Sequence, residues 1–207
     1  NMEYMMENIF SNINLPLNKQ VNILEVGTGN GDGTTVYMNN ILKRNIFDYR
    51  IHSYEGIGEC YKQATSFWHA QNDPKIKIIN KFFCDKEDIE QMVLPNIFGQ
   101  GNIMTKEHYT EKYKKILETG IFEGDIDYTP DIILIDSWRF GHAAIVNKCK
   151  KYCDENTIFI VEDDLRAQRR RVYGEEEILK RYFYLKNIKR FKGDLYDGTW
   201  NFFTFNL

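Results

Sequence analysis

Acidic side chains follow two apolar runs in the second half of the chain. Asp136 comes directly after the run 131–135, and Asp163 and Asp164 follow the run 157–161. Such runs are typical of buried parallel strands, and ligands bind beyond the carboxyl ends of these strands. Three carboxylates that meet in one cleft repel one another unless a cation holds them together, and hard oxygen ligands favour Mg²⁺ or Mn²⁺. We therefore predict a divalent metal on Asp136, Asp163 and Asp164, with helix capping by Asp163 and Asp164 as the alternative.

A glycine-rich loop follows an apolar run near the start of the chain and precedes a helical pattern. The loop reads Glu25-Val26-Gly27-Thr28-Gly29-Asn30-Gly31. Strand, glycine turn and helix form the first unit of a nucleotide-binding α/β sheet. The loop does not spell the dinucleotide fingerprint G-x-G-x-x-G, because Asp32 or Thr34 stands at the third glycine position. Glu25 would repel a pyrophosphate and attract a cationic ligand, such as a sulfonium or an amino group.

A second acid ends the next predicted strand. Glu55, followed by Gly56, comes directly after the pattern 50–54. A carboxylate at this place suits the two hydroxyls of a ribose. Dinucleotide enzymes and methyltransferases share this feature, so it does not separate them, and an exposed glutamate at a strand end is the alternative.

These motifs resemble those of the class I S-adenosylmethionine (SAM) methyltransferases. The glycine loop is similar to their motif I, and Asp136-Ser137-Trp138-Arg139 resembles the Asp-His-Trp-Lys of catechol O-methyltransferases. Asp163-Asp164 resembles the remaining metal ligands of those enzymes, and this pair of aspartates is closer to the macrocin-type enzymes that methylate sugar hydroxyls. The resemblance covers the chain except residues 95–129, which we interpret as an insertion near the acceptor site.

The resemblance implies a set of residues around SAM. The glycine loop would line the methionine half of the cofactor through Glu25, Gly27, Thr28, Gly29 and Gly31. Glu55 and Gly56 would hold the ribose, and Cys84 and Asp85 would meet the adenine edge. Asp136 would also contact the cofactor, and Trp138 would stack on the adenine or form a wall of the pocket, with a place in the core as its alternative.

Catalysis is assigned to Asp136, Arg139 and His142. Arg139 stands where the catechol enzymes have a lysine base, but a guanidinium is not deprotonated in proteins and cannot be that base. His142 is predicted to accept the proton of the acceptor hydroxyl, because the pKa of histidine lies near neutrality. A structural role at a helix N-terminus is the alternative for His142.

The order of periodic segments predicts an α/β fold. Strands are expected at 22–26, 50–54, 75–80, 131–135 and 157–161, helices at 2–12, 34–43, 58–71, 108–117, 143–152 and 174–185, and a hairpin at 186–205. Together with the resemblance, this predicts a Rossmann-like class I methyltransferase fold in one domain, 1–207. Its sheet would be seven-stranded and mostly parallel, with a C-terminal antiparallel hairpin and helices on both faces. The dinucleotide folds end on a parallel strand, so the hairpin separates the two classes.

Composition limits the partners. The chain has 207 residues, a net charge of -3 and four scattered cysteines without a C-x-x-C pair. We expect no nucleic-acid or membrane partner, free thiols and a cytoplasmic location. The chain begins at Asn1 rather than at methionine, which suggests a domain of a larger protein or a processed chain, and a homodimer is left open.

The function predicted from these features is metal-dependent O-methylation of a small polyhydroxylated acceptor by SAM. A sugar is favoured, such as rhamnose or another deoxysugar of a glycan. A catechol-like phenol is the alternative acceptor. A nucleotide-binding module without catalysis and an NAD-dependent oxidoreductase are the alternatives from other classes.

Overall fold

The structure is a computed structural model, and it describes most of the chain. The described residues are 2–93, 111, 114, 117–137, 141–163, 175–192 and 201–207, with the backbone alone described at Asp163. The helices are α1 (Met2–Ser11), α2 (Thr34–Arg44), α3 (Gly58–Gln71), α4 (Lys86–Asp88, continued by a π-helical turn Ile89–Val93), α5 (His142–Cys149) and α6 (Glu175–Lys180). The strands are β1 (Val21–Val26), β2 (Tyr49–Tyr54), β3 (Ile76–Ile79), β4 (Ile132–Ile135), β5 (Ile158–Asp163), β6 (Lys186–Lys192) and β7 (Asn201–Asn206).

One seven-stranded sheet contains all of these strands, in the order β3-β2-β1-β4-β5-β7-β6. Strands β1 to β5 are parallel, and β7 is antiparallel to both β5 and β6. The predicted sheet with its C-terminal antiparallel pair is therefore confirmed. The central strand β4 is buried at all four positions, as its continuous apolar run predicts.

Helices cover both faces of the sheet, as predicted. On one face α1 and α2 bury Met6, Ile9 and Met38 against Ile23 of β1. On the other face α5 and α6 contribute to a second buried cluster, which includes Ile133 of β4. Since β1 to β5 are parallel, their carboxyl ends lie at the same edge of the sheet, and a ligand is expected at that edge. None of the described helices is long and apolar enough to cross a membrane.

The described end of the predicted insertion packs against the chain just after β3. We call residues 117–130 the return segment, because they lead back to β4. The backbone N–H of Phe82 donates to the carbonyl of Gly120 at 3.1 Å, and the N–H of Phe122 donates to the carbonyl of Phe82 at 2.9 Å. The ammonium of the buried Lys148 on α5 also donates to the carbonyl of Phe122. The predicted helix 108–117 falls mostly outside the described residues.

Candidate cofactor site

A cavity of about 460 Å³ opens at the carboxyl edge of the parallel strands. Its lining combines the glycine loop with the residues that follow β2, β3 and β4. The lining residues are Val26, Gly27, Thr28, Gly29, Gly33, Thr34, Tyr54, Glu55, Gly56, Ile57, Cys60, Phe82, Asp136 and Ser137. Six of the predicted cofactor residues lie here, namely Gly27, Thr28, Gly29, Glu55, Gly56 and Asp136.

Glu55 is held in a fixed position at the end of β2. Its Oε2 accepts a hydrogen bond from the backbone N–H of Gly29 at 2.8 Å, and its Oε1 accepts one from the N–H of Ile57 at 2.7 Å. The side chain is buried. Burial raises the pKa of Glu55, while the N–H groups of Ile57 and Gly29 act in the opposite direction. A carboxylate has about four acceptor positions, so two remain for hydroxyl groups of a ligand.

The glycines of the loop serve different purposes. Gly27 has φ of 98°, and a Cβ at this position would lie 2.0 Å from the backbone oxygen of Asp136. A glycine is therefore required for the turn to lie against the end of β4. A Cβ at Gly31 would lie 2.8 Å from the Cα of Ala64, so this glycine permits α3 to pack against the loop. Gly31 is not among the residues that line the cavity, and its contact with the methionine half of the cofactor stays a prediction.

Glu25 lies beneath the loop rather than on the cavity. Its side chain is fully buried. The hydroxyl of Thr34 donates to its Oε1 at 3.0 Å, and the hydroxyl of Thr35 donates to its Oε2 at 2.7 Å. Burial raises the pKa of Glu25 to about 7. Glu25 is therefore not among the residues that line the cavity, because its carboxylate holds the first turn of α2, and its contact with the cofactor stays a prediction.

Asp136 lies on the cavity next to that turn. The hydroxyl of Thr34 is 3.3 Å from its Oδ2, so one hydroxyl lies between the carboxylates of Glu25 and Asp136. The strands β4 and β5 are neighbours, with Ile135 paired to Val161, and β5 ends at Asp163.

The predicted metal site is described only in part. Asp164 and the side chain of Asp163 fall outside the described residues. Within the part of the chain that is described, no three histidine, cysteine or acidic side chains are grouped to hold a metal ion. The metal therefore stays a prediction.

His142 begins α5 and is only 1% exposed. Its Nε2 lies 3.0 Å from the carbonyl oxygen of Ser137. Because a carbonyl can only accept, Nε2 carries the proton of this bond. His142 does not line the cavity, and its burial favours the alternative of a structural role at the start of α5. Two further predicted site residues, Trp138 and Arg139, fall outside the described residues.

The two residues predicted at the adenine edge lie elsewhere. Cys84 is fully buried in the core. The carboxylate of Asp85 is paired with the ammonium of Lys148 at 3.1 Å and with that of Lys151. Neither side chain lines the cavity, and both stabilise the contact between α5 and the segment after β3, so their contact with the adenine stays a prediction. The residue after β3 that reaches the cavity is Phe82.

Sequence reasoning missed several cavity residues beside Phe82. They are Val26, Gly33, Thr34, Tyr54, Ile57, Cys60 and Ser137. Most of them lie within three residues of a strand end or of a predicted site residue. They could have been predicted from the sequence by including every residue close to the carboxyl end of a predicted strand.

No protein-family model and no curated protein sequence matches the chain. Solved structures do resemble it. A candidate O-methyltransferase from Klebsiella pneumoniae is 13% identical, with a TM-score of 0.59, over 99% of this chain and 78% of that protein. The O-methyltransferase of tomaymycin synthesis from Streptomyces achromogenes, solved with SAM, is 13% identical, with a TM-score of 0.53, over 90% and 72%. The N-methyltransferase NodS from Bradyrhizobium japonicum is 10% identical, with a TM-score of 0.52, over 98% and 92%.

These likenesses define the class of fold. The chain has the Rossmann-like fold of class I SAM-dependent methyltransferases, in agreement with its strand order and antiparallel last strand. The fold includes enzymes that methylate oxygen and enzymes that methylate nitrogen. The fold alone therefore does not determine which kind of atom an enzyme of this class methylates.

Proposed function

We propose that this chain is a SAM-dependent methyltransferase that acts on a hydroxyl of a small polyhydroxylated acceptor, with a sugar as the favoured class. The observation that carries the proposal is the buried Glu55 carboxylate on the cavity, held by the backbone N–H groups of Gly29 and Ile57. A carboxylate oriented in this way can accept two adjacent hydroxyls, as a ribose offers. It lies beside a glycine loop, on the strand order of the methyltransferase fold.

The residues of the chain would bind and align the reactants. When bound, SAM supplies a methyl group on a positively charged sulfur. Glu55 would hold the ribose, and the negative charge of Asp136 would attract the positively charged part of the ligand. The side-chain position of Gly29 has no atom within 4 Å, which leaves room for a ligand against the loop. Fixing the ligand on both sides of its sulfur would hold the methyl group in one orientation, which favours an in-line transfer.

Two finer parts of the proposal rest on the sequence. A sugar is favoured over a phenol because Asp163 and Asp164 form an acidic pair and Arg139 replaces a lysine base. A divalent metal is included because three carboxylates follow two adjacent strands. The buried His142 is not included as a base, and O-methylation of a phenol remains the second candidate.

Calorimetric titration with S-adenosylhomocysteine (SAH) tests the cofactor. We expect the parent protein to bind SAH and not NAD. Glu55→Ala should weaken SAH binding by about 10²–10⁴-fold, because two hydrogen bonds to a charged group are lost. Glu59→Ala is the matched control, since Glu59 is exposed on the first turn of α3. Equal SAH affinity of Glu55→Ala and the parent would exclude the ribose assignment.

Transfer of labelled methyl groups from SAM to a panel of sugars and phenols tests the reaction. Labelling of a sugar hydroxyl supports the proposal, and labelling of phenols alone supports the second candidate. Tight SAH binding without labelling of any acceptor would instead indicate a binding module.

A further inference from the structure

Phe82 is held between two loops that line the cavity. Its side chain is 6% exposed. A Cβ at Gly56 would lie 3.0 Å from Cδ2 of the ring, and a Cβ at Gly141 would lie 3.0 Å from Cζ. The ring therefore packs against the loop after β2 on one side and against the start of α5 on the other. A side chain at either glycine would push the ring out of this position.

The backbone of Phe82 is held by a segment that does not line the cavity. Both its N–H and its carbonyl are bonded to the return segment, at Gly120 and Phe122. The ring of Phe122 stacks on that of Phe83, with centroids 5.5 Å apart and an interplanar angle of 18°. Lys148, whose side chain is 3% exposed, binds both the carbonyl of Phe122 and the carboxylate of Asp85. The return segment is thus anchored to the core and in turn fixes the position of Phe82.

The described lining of the cavity carries two kinds of side chain. Thr28, Thr34, Asp136 and Ser137 are polar, whereas Ile57, Cys60 and Phe82 present carbon and sulfur atoms, with Phe82 packed against Gly56. A ligand with a charged tail and a flat heterocyclic base would place the base against the Phe82 ring. The two carboxylates on these loops already have partners, since that of Asp85 is paired with Lys148 and Lys151, and that of Glu55 accepts from the N–H groups of Gly29 and Ile57 and is assigned to the ribose.

We propose that base recognition in this chain depends on contact with the Phe82 ring, and that the return segment controls this recognition by holding Phe82 in place. The proposal rests on the proposed function in one respect, namely that the ligand is an adenosine derivative. Phe82 would then touch the ligand, and Phe122 would be a positioning residue that acts through Phe82. A hydrophobic contact discriminates weakly between bases that differ in one polar group, whereas a side chain that hydrogen-bonds the group discriminates strongly.

The first experiment compares SAH with S-inosylhomocysteine, in which an oxygen replaces the exocyclic amine of the base. Calorimetry on the parent protein should give affinities that differ by less than about 100-fold, the limit for a pocket that reads shape. A larger preference for SAH would overturn the proposal. Failure of both ligands to bind would instead contradict the proposed function, so the two failures are distinguishable.

The second experiment tests the control by the return segment. Phe122→Leu should weaken the binding of SAH and of 5′-methylthioadenosine by the same factor, about tenfold, because the base contact is common to both ligands. Phe47→Leu is the matched control, since Phe47 is a half-buried phenylalanine in the cluster on the opposite face of the sheet. Both variants are measured at a temperature at which thermal unfolding shows them folded. Unchanged affinity of Phe122→Leu for 5′-methylthioadenosine, or an equal loss in Phe47→Leu, would overturn the proposal.

Discussion

Replacement of Glu25 by glutamine should stabilise the protein at alkaline pH. The carboxylate of Glu25 is fully buried between β1 and α2, where the hydroxyls of Thr34 and Thr35 donate to its two oxygens. A glutamine has nearly the same shape, and a threonine hydroxyl can rotate to accept from the new NH₂ group. The substitution therefore removes an ionisable group and leaves the hydrogen-bonded arrangement in place.

The size of the effect follows from the pKa of Glu25. Burial raises this pKa from 4.5 to about 7, helped by the negative charge of Asp136. The folded state therefore binds a proton more tightly than the unfolded state. In the parent protein, the contribution of Glu25 to the free energy of unfolding is largest below pH 4.5 and is lost as the pH rises to about 7. At 1.36 kcal/mol per pKa unit, the loss at pH 8 is about 3 kcal/mol.

Urea denaturation at pH 5 and at pH 8 measures the effect. At pH 8, Glu25→Gln should be more stable than the parent by up to about 3 kcal/mol, and at pH 5 the difference should fall below about 1 kcal/mol. Glu59→Gln serves as the control, because Glu59 is exposed and its replacement should change stability by no more than about 0.5 kcal/mol at either pH. A difference between Glu25→Gln and the parent that is the same at both pH values would refute the reasoning.

Three further predictions concern other parts of the site. Excess chelator should stop methyl transfer and leave the affinity for SAH unchanged in calorimetry, whereas full activity in chelator would exclude the metal. His142→Gln should bind SAH as tightly as the parent and show the same pH profile of methyl transfer, because the glutamine amide can still donate to the carbonyl of Ser137. A large loss of turnover in this variant would instead support His142 as the base. Lys148→Met should lower the free energy of unfolding at pH 7 by about 1–3 kcal/mol, because the Phe122 carbonyl loses its donor. Burial alone would raise the pKa of Asp85, but hydrogen bonds from Lys151 and Lys148 outweigh it and lower this pKa. In urea titrations, the share of this loss of stability that comes from the Asp85–Lys148 pair should therefore decrease as the pH falls below 3.8. A loss of stability that does not change with pH would contradict this pairing.

The sheet was predictable because its strands carry strong local signals. The run of β4 is apolar throughout, and the two C-terminal segments are separated by residues typical of a turn. Helix α3 was predicted with its observed bounds, Gly58–Gln71. Helix α6 ends at Lys180, earlier than the predicted end at Leu185. The sequence after Lys180 is still rich in apolar residues, but the chain turns at 181–182 and leads into β6. Local pattern thus determines which elements form, while tertiary packing determines where some of them end.

The side chains of the site were predictable only where a strand end fixes their position. Glu55 and Asp136 follow directly after β2 and β4, and both lie on the cavity. Cys84 and Asp85 come several residues after β3, where the alternation of a strand no longer determines the direction of a side chain. The partner that turns Asp85 away is Lys148, 63 positions along the chain. A contact of this range has no local signature, so sequence reasoning could not find it.

The charges around the cavity favour one kind of ligand. Its described lining contains the carboxylates of Glu55 and Asp136 and no lysine or arginine. A dinucleotide would bring a negatively charged pyrophosphate to these carboxylates, whereas SAM brings a positive charge at sulfur and at its amino group. Transfer of the methyl group removes the charge at sulfur, which weakens the attraction to Asp136. We therefore expect the same carboxylate that binds the cofactor to favour release of the product, which would appear as tighter binding of SAM than of SAH at low salt.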